Sequence, residues 1–122
     1  MPFRSPTCFK GPICPISRRD WKKDIAYLTE AEADELAEQL LAFKLARYHY
    51  KAEDGHVAPH LGFIIDDVEP SPAVGGNGDT VDLYAYTTMA VLALKKQDRT
   101  IRALEKELAD LRREVDDLKG KR

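Results

Sequence analysis

Residues 101–118 read IRALEKELADLRREVDDL, and this stretch decides the fold. Apolar residues recur in it at alternating intervals of three and four, the spacing of the a and d positions of a coiled-coil heptad. No proline occurs between residues 84 and 122, and no glycine precedes Gly120 in that range. The pattern therefore predicts one helix over residues 84–122, about 55 Å long at 1.5 Å per residue.

The apolar side chains of this helix form one narrow stripe, with charged residues on the other faces. Such a stripe needs a partner helix, and the simplest partner is another copy of the chain. In a parallel bundle Glu107 faces Arg112, and a second attractive pair follows one heptad later, which favours that orientation. Gln97 either fixes the register of the bundle as a buried polar residue, or lies at the edge of the seam without such a role. The predicted seam comprises Leu94, Gln97, Ile101, Leu104, Leu108, Leu111, Val115 and Leu118.

The chain before this helix divides into a leader and a head. Residues 1–16 contain four prolines, which fix φ and remove backbone donors, so an extended leader is predicted there. We call residues 17–83 the head. They contain one segment whose apolar residues have helical spacing and two short segments in which apolar and polar residues alternate. The predicted fold is therefore a small α+β head, with a helix and antiparallel strands, followed by a long helix that forms a parallel coiled coil.

Local signals place one helix and two strands in the head. Thr29 followed by Glu32 fits a capping box, which predicts a helix over about residues 30–43. Alternation of apolar and polar residues predicts strands over residues 44–51 and 60–68. The short distance between them along the chain favours an antiparallel pair.

Turn residues separate these elements. Asp54 and the glycine after it predict a turn between the two strands. The alternation in the second strand would place Asp67 and Glu69 on one face and Asp66 on the other. Residues 75–79 are rich in glycine and predict a flexible loop before the long helix.

Composition excludes several functional classes. The 122 residues include 19 Lys and Arg and 21 Asp and Glu, so a net charge of −2 argues against a nucleic-acid or polybasic membrane partner. No apolar run is long enough to span a membrane, and residues 1–6 lack a signal-peptide pattern. Cys8 and Cys14 fit ordinary thiols in a reducing compartment. The group of Asp54, His56 and His60 lacks a further strong ligand, so neither a metal nor another cofactor is expected.

Three blocks of sequence together resemble the C-terminal intramolecular chaperone domain of phage tailspikes, endosialidases and related fibre proteins, the S74 peptidase family. The order and spacing of the blocks, followed by the predicted coiled coil, carry the resemblance over about residues 17–120. The blocks are residues 17–25, the pair 46–51 and 61–69, and residues 81–84 continuing into 89–97.

The resemblance implies a homotrimer that aligns the chains of a fibre or tail client, assists their folding, and then cleaves itself. It places the cleaved bond between Ile16 and Ser17, with Ser17 as nucleophile and Lys22 as base. A serine hydroxyl is a weak nucleophile until a base removes its proton, and a lysine amine is a base only when neutral. Burial and neighbouring cations favour the neutral amine, and the nearby cations are Arg18, Arg19 and Lys23.

Two functional classes remain open. The first is this chaperone, which would assemble in the cytoplasm and belong to a phage virion or a tail-like particle. The second is a free-standing coiled-coil adaptor that does not cleave itself. Heptad rules alone leave trimer and dimer open, because Leu108 at an a position blurs the two-stranded preference. The trimer follows from the resemblance, and a dimer is the runner-up.

Overall fold

The computed structural model describes residues 16–121, and it contains two α-helices and a small sheet. Helix α1 (Glu30–Leu41) precedes strands β1 (Ala46–Tyr48) and β2 (His60–Gly62), which pair antiparallel. Helix α2 (Leu83–Gly120) follows and has 38 residues, about 57 Å. The predicted helix-and-strand head and long helix are confirmed. The predictions for the leader before Ile16 lie outside the described residues.

Helix α1 begins at the predicted capping box. The Glu32 N–H donates to Thr29 Oγ1 at 3.2 Å, and the Thr29 N–H donates to the Glu32 carboxylate at 3.0 Å. The Thr29 backbone donor, followed by its side chain, lowers the pKa of Glu32 below its ordinary value. The helix ends at Leu41, before the predicted end, because the backbone turns so that Phe43 packs against the core.

Both strands are shorter than predicted. The ladder runs from Ala46 opposite Gly62 to Tyr48 opposite His60. The chain before Ala46 is still leaving α1, so Phe63 meets no strand partner and turns into the core, where it is 6% exposed. The predicted strand continuation to residue 68 is therefore wrong.

A 3₁₀ turn over Ile65–Asp67 replaces the end of the predicted second strand. The Asp67 N–H donates to the Ile64 carbonyl at 3.0 Å, which closes this turn. Successive residues of a 3₁₀ turn lie about a third of a revolution apart, so the predicted placement of Asp66 and Asp67 on opposite strand faces is also wrong.

Hydrogen bonds close the two predicted turns. The Val57 N–H donates to the Asp54 carbonyl at 3.1 Å, which confirms the turn at Asp54. Across the predicted loop of residues 75–79, the Gly75 N–H donates to the Thr80 carbonyl at 2.7 Å. Gly78 adopts φ 79°, a left-handed conformation that glycine adopts without strain. An isolated β-bridge between Val74 and Val81 sets the base of this turn.

The core of the head is small and lies where the hairpin meets α2. Phe63, Ala73 and Met89 are its buried members, and Met89 is only 1% exposed. The rings of Phe43 and Tyr86 flank Phe63 with centroids 4.7 and 5.1 Å away. Since Met89 and Tyr86 belong to α2, the core extends past the predicted head boundary at residue 83.

Helix α1 packs against the first part of α2, and their ion pairs show an antiparallel arrangement. Lys96 contacts Glu38 at 2.7 Å, whereas Arg99, further along α2, contacts Asp34, nearer the start of α1. Beyond Arg99, α2 extends about 30 Å without packing against another element of the described chain. No helix within residues 16–121 combines the length and apolar character needed to cross a membrane.

Candidate functional site

The structure brings Ser17 and Lys22 together. Lys22 Nζ lies 2.8 Å from Ser17 Oγ, within hydrogen-bond distance. A 3₁₀ turn over Arg19–Trp21 makes this contact possible, because it folds the backbone back between the two residues. The Lys22 N–H donates to the Arg19 carbonyl at 3.1 Å and closes the turn. Two side chains five residues apart thus meet through local structure alone.

A second contact holds the segment that follows the 3₁₀ turn. Arg19 Nη2 donates to Tyr27 Oη at 3.0 Å and links the turn to the chain just before α1. Asp24, between them, has φ 53°, a conformation that non-glycine residues adopt uncommonly and aspartate more readily than most. Sequence reasoning did not identify the Arg19–Tyr27 contact, because no motif links an arginine to a tyrosine eight residues later.

Both members of the Ser17–Lys22 pair are exposed in the single chain, whereas Ile16 on the other side of the predicted cleaved bond is half-buried. The flanking cations Arg18 and Lys23 are exposed as well. The pair therefore has the contact that base catalysis needs, but lacks burial in one isolated copy.

The predicted seam forms an exposed stripe along α2. Leu104 is 56% exposed and Leu118 is 66% exposed, and all the other predicted seam positions, Gln97 included, are also exposed. A row of large apolar side chains in water is unfavourable, and burying each one would stabilise an assembly by about 1.5–3 kcal/mol. The geometry of α2 suits helix pairing, although the described chain contains no partner helix.

The hairpin holds a polar cluster that the sequence did not reveal. The Tyr50 N–H donates to Glu53 Oε1 at 2.6 Å, and His60 Nε2 lies 3.0 Å from both oxygens of the same carboxylate. The Tyr50 backbone donor, followed by the His60 side chain, lowers the pKa of Glu53. The His56 backbone N–H also donates to Asp54 Oδ1 at 3.1 Å.

Comparison with protein-family models identifies one family. Residues 17–75 match the peptidase S74 model, described as chaperone of endosialidase. The match confirms the resemblance over these residues and supports a chaperone-like role. The match begins at Ser17, includes Lys22, and ends before α2. Comparisons with curated proteins and with solved structures gave no match.

Proposed function

We propose that this chain is an intramolecular chaperone that forms a parallel homotrimer through α2, assists assembly of a fibre or tail client, and cleaves itself between Ile16 and Ser17. The observation that carries the cleavage is the 2.8 Å contact between Lys22 Nζ and Ser17 Oγ, at the first residue of the S74 match. The exposed seam of α2 supports the assembly. The proposed place of action is the cytoplasm during assembly and a phage virion or tail-like particle afterwards.

The cleavage chemistry follows from the position of Ser17 next to the bond. Neutral Lys22 Nζ accepts the Oγ proton while Oγ attacks the carbonyl carbon of Ile16, forming a C–O bond. The C–N bond then breaks, and Lys22 returns the proton to the departing amine of Ser17. The product is an ester between Ile16 and Ser17 Oγ. Water hydrolyses this ester, which releases a carboxyl group at Ile16 and restores the serine hydroxyl.

Assembly is the step that would make Lys22 a base. In one copy Ser17 and Lys22 are exposed to water. Packing of three heads around the α2 bundle would remove water from the dyad, and the cations beside Lys22 would also disfavour its charge. Cleavage would then follow trimer formation and would report that the client chains have been aligned.

Matched lysine variants test the cleavage. We expect Ser17→Ala and Lys22→Met to abolish formation of a fragment that begins at Ser17, as measured by intact mass under denaturing conditions. Lys23→Met removes a neighbouring exposed lysine and should retain cleavage within a few-fold. Equal cleavage of the Lys22→Met and Lys23→Met chains would show that Lys22 is not the base.

Native mass tests the assembly separately. A trimer containing the fragment supports both parts of the proposal. A trimer of intact chains would support assembly but contradict self-cleavage. It would favour the alternative, a coiled-coil adaptor that does not cleave itself. A dimer or monomer would contradict the trimeric mechanism, whatever the outcome of the cleavage experiment.

A further inference from the structure

A groove of about 600 Å³ lies between the hairpin and the 75–80 turn, and none of its lining residues belongs to the dyad or the predicted seam. We call it the aromatic groove. Side chains from the end of β1 and just beyond it, from the segment after β2, from the 3₁₀ turn over Ile65–Asp67 and from the start of α2 meet there. The residues that matter below are Tyr48, Tyr50, Phe63, Asp66, Asp79 and Leu83.

Contacts with neighbouring residues hold the aromatic walls of the groove in place. The rings of Tyr48 and Tyr50 meet edge to face, with centroids 5.5 Å apart and planes at 82°. The Tyr50 backbone is tied to Glu53, and the His60 ring packs 5.0 Å from the Tyr50 ring. Tyr50 nevertheless remains 60% exposed, so a fixed aromatic face is offered to solvent.

The charge of the groove is negative and uncompensated. Asp66 and Asp79 are exposed on its lining, and within residues 16–121 neither carboxylate forms an ion pair. Among the residues from 16 to 121, no lysine or arginine lines the groove. Fixed tyrosine rings with two free carboxylates suit an extended peptide that carries apolar rings and a positive charge.

The chain itself contains such a segment immediately before the described residues. Residues 10–15 read KGPICP, with a lysine and two prolines three positions apart. Spaced prolines favour the polyproline II conformation, whose rings pack into aromatic grooves at low entropic cost. Residues 1–16 contain Arg4 and Lys10 but no acidic residue, so their charge complements the groove.

We propose that the aromatic groove binds residues 10–15 of the same chain. A covalent link raises the effective concentration of a segment that can reach the groove to about the millimolar range, which would favour this segment over the same segment of a free copy. Docking holds the chain immediately upstream of Ser17 against the head. This interaction does not require cleavage and goes beyond the proposed function.

Protease protection tests the docking in a full-length Ser17→Ala chain, which keeps the leader attached whether or not the native chain cleaves. Trypsin cuts after Lys10, inside the proposed docked segment, and after Arg4, outside it. The ratio of the two rates therefore reports docking and corrects for general exposure. We expect the cut after Lys10 to become at least about five-fold faster, relative to the cut after Arg4, when docking is lost.

Charge-matched variants provide the comparison. Asp66→Asn with Asp79→Asn removes both groove carboxylates and should give the faster cut. Asp67→Asn with Asp117→Asn removes the same charge outside the groove and should leave the ratio unchanged. Equal ratios in the two double variants would overturn the proposal.

Tyrosine ring signals in NMR spectra provide an independent readout. In the Ser17→Ala chain, Pro12→Ala with Pro15→Ala should shift the signals of Tyr48 and Tyr50 and leave exposed Tyr84 unchanged. Unmoved groove signals would contradict docking. Protection at Lys10 that disappears on dilution together with the assembly would assign the groove to a neighbouring copy's leader and overturn docking within one chain.

Discussion

The two halves of α2 differ in what covers them. The proximal half, residues 83–99, buries Met89 and Ala93, and its Lys96 and Arg99 pair with α1. The distal half, residues 100–120, has no buried residue and exposes its whole apolar stripe. One continuous helix thus completes a core within its own chain at one end and offers an unpaired surface at the other.

This difference separates folding from assembly. The core contacts of the head all lie within one copy, because the proximal half supplies one wall of that core. The distal half would gain stability from packing against another helix, since most helical stability in proteins comes from packing of an amphipathic face. Substitutions in the two halves should therefore change different measurements.

The largest effect is expected in the distal half. Leu104→Asn with Leu111→Asn removes two large apolar side chains from each seam, costing about 3 kcal/mol or more per chain. We expect the assembly to dissociate, as measured by light scattering, while the near-ultraviolet circular dichroism of the head persists. Ala103→Asn with Ala109→Asn, away from the seam, is the control and should retain the assembled mass. An unchanged mass for the leucine variant would show that the seam is misassigned.

A smaller effect, on the head, is expected in the proximal half. Met89→Ala leaves a cavity beside Phe63 and should lower the free energy of unfolding by about 2–4 kcal/mol, as measured by urea denaturation. Val91→Ala, which removes an exposed side chain from the opposite side of α2, should cost much less. Similar losses in the two variants would mean that the core does not depend on the proximal half.

The smallest effect concerns the contact between α1 and α2. The Lys96 hydrogen bond, and then its charge, lower the pKa of Glu38 below its ordinary value of 4.5. Because the folded pKa is depressed, this stabilisation is present above pH 4.5 and is lost as the pH falls through the folded pKa. Glu38→Gln should therefore lower the Tm by about 1 °C at pH 7 and by less at pH 3.

Exposed Glu35 provides the control for this pH dependence. Glu35→Gln removes the same charge from α1 without removing a partner of Lys96, so its Tm should follow the parent chain at both pH values. A pH-independent loss in the Glu38 variant would mean that the ion pair with Lys96 is not its cause.

The features that sequence predicted well are local ones. The start of α1 depends on hydrogen bonds between Thr29 and Glu32, which lie within one helical turn. The helix α2 follows from an unbroken pattern with no proline. Ser17 and Lys22 were identified through the family resemblance, and the 3₁₀ turn between them accounts for their contact.

The features that sequence missed depend on distant partners. Alternation suggested that the second strand continues past Gly62, but the core takes Phe63 out of the sheet. The contact of His60 with Glu53 likewise required the hairpin to bring the two residues together. Local pattern carries no information on such pairings, because the competing environment comes from elsewhere in the fold.

The dyad is formed entirely by residues 17–22, outside the core and on the surface. A substitution there can silence the proposed reaction and leave the scaffold intact, because the packed residues of the head are elsewhere. Substitutions in the core or the seam, in contrast, would impair folding or assembly, and therefore every step that depends on them. The proposed scission and the proposed scaffolding would thus be separable by substitution, so that evolution can remove the first and keep the second.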